Sequence, residues 1–138
     1  MFEIMAVTKA MADESRARIL AALEGRELCV CQLIELIELA PSTISKHLAI
    51  LRGARLIESR KEGRWMHYRL ARTGASKTVT DALDWLTRSL RSQELIRADR
   101  QRLGQILKTD PGELCRRQAA DLAEDKKELA APVRLNQF

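Results

Sequence analysis

The 138-residue chain holds only three cysteines, three prolines and two histidines, and no uninterrupted apolar run approaches the roughly 20 residues that a bilayer span needs. A membrane-crossing helix is therefore excluded. Three thiols are an odd, low number for the cross-linked scaffold of a small secreted domain. Lys9, Asp13, Glu14, Arg16 and Arg18 interrupt the N-terminal region, so no leader is expected there, and the chain is expected to be cytoplasmic with its thiols reduced. No internal repeat is present. The length suits one unit with a modest core.

What the chain does have is charge, unevenly spread. Lysine and arginine number 24 against 19 aspartates and glutamates, a formal net charge of +5. Residues 41–72 carry eight basic side chains against two acidic ones, whereas residues 1–40 carry four against seven and residues 73–138 twelve against ten. A positive excess gathered in one short stretch is the electrostatic footprint of a nucleic-acid contact.

Apolar spacing supplies the elements. Phe2, Met5, Ala6 and Ala10 mark a first helix, and Asp13 offers an N-cap for a second, "ESRARILAALEG", that stops at Gly25. Leu28, Leu33, Leu36 and Ile37 fit a third helix over residues 28–39, with Cys29 and Cys31 in its first turn. Pro41 opens a fourth, which buries Ile44, Leu48 and Leu51 and turns out small polar side chains. After Gly53 the period changes to two. "RLIESRKEGRWMHYRLA" reads as a β-hairpin with Gly63 in its turn and Lys61 and Arg64 at its tip. Beyond Gly74 the chain returns to helix, with Val79, Ala82, Leu83, Leu86 and Leu90 as an apolar stripe that a lone chain would leave exposed. Residues 91–108 continue helical, Pro111 and Gly112 interrupt, and residues 113–138 suggest a short helix and a frayed tail.

The expected fold is α+β, mostly α: a winged helix-turn-helix with a two-stranded wing and a C-terminal helical extension. Residues 1–90 are expected to form the DNA-binding and dimerisation domain, and residues 91–138 a helical extension with a charged, partly disordered tail. The fourth helix fits a major groove, with Ser42, Thr43, Ser45, Lys46, His47 and Arg52 as DNA contacts, and Lys61 and Arg64 add phosphate or minor-groove contacts from the wing. A symmetric dimer would cover the apolar stripe and set two reading helices about one turn of DNA apart.

Cys29 and Cys31 in "ELCVCQL" are soft ligands, and the N-terminus of a helix favours their thiolate form. Two positions apart on an ideal helix they point about 200° away from each other. Holding one ion would then unwind the start of the third helix and disturb the helix-turn-helix.

"ELCVCQL" and "PSTISKHLAILRGARLIESRKEGRWMHYRL" resemble, respectively, the arsenic-sensing box and the recognition helix and wing of the ArsR/SmtB winged-helix metalloregulatory repressors. The resemblance covers about residues 1–90. It implies a homodimeric repressor, with no permanently bound cofactor, that leaves operator DNA when As(III) or Sb(III), as arsenite or antimonite, binds Cys29 and Cys31. Many boxes of the family read Cys-x-Cys-x-x-Cys, but here the third position is Ile34. The third ligand could be Cys115, from the same or the partner chain, or a small-molecule thiol, or the site could be two-coordinate. No histidine follows His67, which speaks against the family's zinc site on the last core helix. Alternatives are a cadmium or lead sensor using the same thiols, which would ask for a fourth ligand, and a thiol-redox protein. Against the latter, the spacing is not Cys-x-x-Cys and no catalytic residues surround the pair, so the chain is not expected to be an enzyme.

Overall fold

A computed structural model describes residues 1–130. Their elements run α1 (Phe2–Met11), α2 (Glu14–Ala22), β1 (Leu28–Cys29), α3 (Val30–Ile37), α4 (Pro41–Gly53), β2 (Ile57–Glu62), β3 (Trp65–Leu70), α5 (Lys77–Leu90), α6 (Glu94–Ile106) and α7 (Pro111–Ala130). The result is the expected, mostly helical winged helix-turn-helix. No helix among the described residues is long and apolar enough to cross a membrane.

Local chemistry explains most of the boundaries. Asp13 caps α2, its Oδ1 accepting the Arg16 amide at 3.0 Å, and Ser76 caps α5 through the Val79 amide at 3.2 Å. Pro41 stands in the first turn of α4, where no intrahelical partner awaits an amide. Gly63, at φ 60°, takes the left-handed conformation that a two-residue hairpin loop requires, and Glu62 pairs with Trp65 across it. The Asp13 carboxyl is held below its ordinary value of 3.8, first by the hydrogen bond from Arg16 and against the opposing effect of burial. Because the folded-state value is the lower one, the cap contributes fully above pH 3.8, and its contribution fades as the pH falls below 3.8 and through the folded-state value. Asp13→Ala should cost about 1 kcal/mol in urea unfolding near neutrality. That cost should shrink in acid; a cost that stays constant with pH would rule out the capping carboxylate as its origin.

Four expectations need correction. The sheet has three strands, in the order β1-β3-β2, because Leu28 and Cys29 pair with Tyr68 and His67 instead of opening a helix. The third helix thus starts at Val30, with Cys29 as its N-cap in extended conformation. The stripe on α5 is not left for a partner: Val79, Leu83 and Leu86 are buried within the chain, where α5 packs on α1 and α2. On these two helices, Phe2, Ile4 and Met5 of α1 and Trp85 of α5 do face solvent. Finally, α7 runs for 20 residues and is not short. The frayed tail was expected at the chain end, and residues 131–138 lie outside the described residues.

The C-terminal helices are not an appendage. Helix α6 packs on α2 and α3, and α7 packs on α3, so Leu103, Ile106 and Leu114 join the same core as Leu33 and Leu36. Both extra helices therefore cover the first helix of the helix-turn-helix.

Candidate thiol site and nucleic-acid interface

Helix α4 turns Ser42, Ser45 and Lys46 to solvent at its N-terminal end, with Thr43 half-buried beside them. The short serine and threonine side chains let a phosphate or a base edge come close to that end, and Lys46 reaches further. His47 departs from this face. Its side chain is only 14% exposed, with Nδ1 3.2 Å from an Arg16 nitrogen and 4.0 Å from Asp13 Oδ1. The structure sets His47 apart from the exposed polar face of α4, against Arg16 and Asp13 at the start of α2. Arg52 is exposed but lies about 15 Å along the helix from Ser42. It borders a different cleft, with Glu3, Arg55 and Ser76.

The wing carries Lys61 and Arg64, both exposed. Several of its other cations are already engaged. Arg60 pairs with Glu27 and Glu62, Arg69 with Glu58, and Arg72 with Asp84. The Arg60 guanidinium beside Glu27 holds that carboxyl below its usual range, despite the opposing effect of burial. Among the described residues, Lys46, Arg52, Arg55, Lys61 and Arg64 are the cations of residues 41–72 with no carboxylate in ion-pair reach, so that charge is spread over α4, the turn after it and the wing. His67 is turned toward carboxylates, Nδ1 3.8 Å from Glu27 and Nε2 3.7 Å from Glu62, and belongs to the strand's own structure.

The three thiols converge. Cys31 and Cys115 are joined by a disulfide with their Cα atoms 5.5 Å apart, although 84 positions separate them in the chain. Cys29, free and buried, borders the same cleft of about 540 Å³, which is also lined by Arg64, Trp65, Gly112 and Arg116. The structure thus departs from the expectation that all thiols stay reduced. As they stand, with two sulfurs bonded to each other, no three His, Cys, Asp or Glu side chains among the described residues form a group able to hold a metal. The opposed directions expected of Cys29 and Cys31 do not arise, because Cys29 lies off the helix, at its cap.

That cap is reciprocal. Gln32 Oε1 accepts the Cys29 amide at 2.9 Å, and the Cys29 side chain faces the Gln32 amide in the arrangement of a capping box. Helix α3 is gripped from the C-terminal helices as well. Gln118 of α7 donates to the Cys31 carbonyl at 2.9 Å and to Glu35 at 3.3 Å. Arg102 of α6 donates to the Leu36 and Glu35 carbonyls at 2.9 and 3.1 Å, satisfying acceptors that the end of a helix leaves open. Gln32, Arg102 and Gln118 escaped the sequence analysis. Only Gln32 carried a local signal, a glutamine three residues after a cap position.

Comparisons with known proteins point the same way. The family model described as "Bacterial regulatory protein, arsR family" matches residues 13–59. The chain is 50% identical over 66 residues to the arsenic resistance transcriptional regulator ArsR1 of Pseudomonas putida, a match spanning 46% of this chain and 51% of that protein. It is 39% identical over 93 residues to the arsenical resistance operon repressor of Escherichia coli, covering 64% of this chain and 78% of that repressor. Among solved structures, the homodimeric winged helix-turn-helix DNA-binding domain of Mb0332 from Mycobacterium bovis superposes with a TM-score of 0.53 at 26% identity, over 63% of this chain and 74% of that one.

Proposed function

The chain belongs to the arsR family of bacterial regulatory proteins, and from that premise we propose that it is a DNA-binding repressor which senses trivalent arsenic or antimony through its cysteines and then leaves its operator. The observation that carries this reading is the convergence of Cys29, Cys31 and Cys115 on one cleft at the start of the helix-turn-helix. Sulfur is the donor that a soft trivalent ion prefers, and three sulfurs match its pyramidal demand. Two electrons and two protons from a cellular thiol reductant open Cys31–Cys115 to two thiols. Cys29, Cys31 and Cys115 then exchange with the three hydroxyls of arsenous acid, each thiol proton leaving with a hydroxyl as water. No resident cofactor and no catalytic role is assigned to the protein.

The chain's own residues supply the coupling. Cys29 is both ligand and N-cap, so a sulfur turned to the ion is turned away from the Gln32 amide and disturbs the first turn of α3. Helix α3 packs on α4, so a disturbance at its start reaches the reading helix. The exposed Phe2, Ile4, Met5 and Trp85 fit a homodimer through α1 and α5, and the working compartment is the cytoplasm, where a reductant is at hand.

Gel shifts with the reduced protein, on the DNA upstream of its own coding sequence, test the reading. Binding should weaken with salt, and arsenite should abolish it, whereas a complex indifferent to arsenite would overturn the sensor. Lys61→Ala should flatten the salt dependence by about one counterion, and Lys46→Ala should do likewise if it meets phosphate.

A further inference from the structure

The wing strand meets the thiol region at two positions, His67 and Trp65. Toward the core, His67 of β3 is paired with Cys29 of β1. At the outer end, Trp65 lies on the first turn of α7. A Cβ added at Gly112 would stand 3.3 Å from Trp65 Cζ2, 3.4 Å from an Arg116 nitrogen and 3.0 Å from Asp110 Oδ2. Glycine at this position admits both the Asp110 carboxylate and the Trp65 ring. Gly112 stands three residues before Cys115, so the two share one face of α7. Trp65 and its neighbour Arg64 line the same cleft as all three cysteines.

We propose that Trp65 is the positioning residue that carries ion capture to the wing: seated on Gly112, its ring couples the placement of α7 to that of Arg64. The inference rests on the sensor reading above. Sulfurs sharing an ion stand at a spacing different from that of bonded sulfurs or of two thiols in contact, so occupation of the site moves Cys115 relative to Cys31. Helix α7 moves as a unit with Cys115. With no side chain at position 112 to act as a cushion, that movement reaches the indole directly, and β3, paired on both sides, passes it to the hairpin loop. Release of DNA then has a second route besides the cap of α3, one that acts on the wing and not on the reading helix.

The chain has two tryptophans, so a Trp85→Phe background leaves Trp65 as the one indole. In that background, arsenite added to the reduced full-length protein should shift the Trp65 emission with the same midpoint as the sulfur–arsenic absorbance. Trp65→Ala should raise the arsenite needed for half-release of DNA about tenfold beyond any change in the arsenite affinity read from that absorbance, within the usual range of couplings. Trp65→Phe should recover most of the loss, because a flat ring still fits over Gly112. Gly112→Ala displaces the ring without removing it and should shift release in the same direction, which decides the matter if Trp65→Ala does not fold. Release of Trp65→Ala and Gly112→Ala at the parent's arsenite concentration, or a loss of arsenite affinity in Trp65→Ala as large as its loss of release, would overturn the inference while leaving the sensor intact. A parent protein that binds no arsenite would remove both.

Discussion

Cys29→Ser should stay on its DNA at arsenite concentrations that clear the wild-type protein. Serine is among the best N-cap residues, so the hydroxyl keeps, or improves, the start of α3 while removing a soft ligand. The substitution therefore separates the two roles that Cys29 combines. Even supporting residues around a bound ion are commonly worth 10–100-fold in affinity, and the loss of a sulfur ligand should cost at least about 100-fold. Cys31→Ser should be similarly insensitive, since it removes a ligand together with one end of the bridge to α7. The measurement is a gel shift across an arsenite titration, with urea unfolding of the same variants. Normal release of Cys29→Ser would remove that residue from the site, and a destabilised Cys29→Ser would contradict its place at the cap.

What could be read from the sequence depended on whether the cause was local. Asp13, Pro41 and Gly63 act on their own few residues, and the helix and hairpin boundaries they mark were legible for that reason. The alternation through residues 65–70 likewise announced the wing. Leu28 and Cys29 gave no such signal: two residues are too few to show a period, and their extended conformation is imposed by Tyr68 and His67, some 40 positions away. The apolar stripe on α5 was visible, but what covers it was not, because amphipathy says that a face is buried and never by whom. The site divides in the same way. Cys29 and Cys31 announced themselves as a pair. That Cys115 adjoins Cys31, with Gln118 and Arg102 holding α3 from two further helices, follows from tertiary packing across more than 60 residues.

That packing depends on one buried ion pair, and removing its acid should produce the largest loss of stability. Arg18 Nε and an Nη of the same guanidinium donate to the two Asp99 oxygens, each at 2.8 Å, tying α2 to α6. The Asp99 hydrogen bonds raise the Arg18 pKa above its already high value, against the opposing effect of burial, so the guanidinium is charged at every pH where the protein is folded. The side chains are 14% and 8% exposed, which makes solvent a poor substitute for either partner. Asp99→Ala strands the cation and should cost about 3 kcal/mol, the lower end for a broken buried pair because Arg18 keeps some contact with water. For a chain of this size, that is a fall of roughly 10 °C in Tm. The double variant Arg18→Met, Asp99→Leu removes both charges and fills the space, so it should recover most of the loss; if it is no better than Asp99→Ala, the cost lies in packing and not in the orphaned charge. Since α6 also carries Arg102, whose guanidinium closes the end of α3, Asp99→Ala should in addition loosen the helix-turn-helix. Faster amide exchange in residues 30–37 than in the wing strands would report that second effect separately from global unfolding.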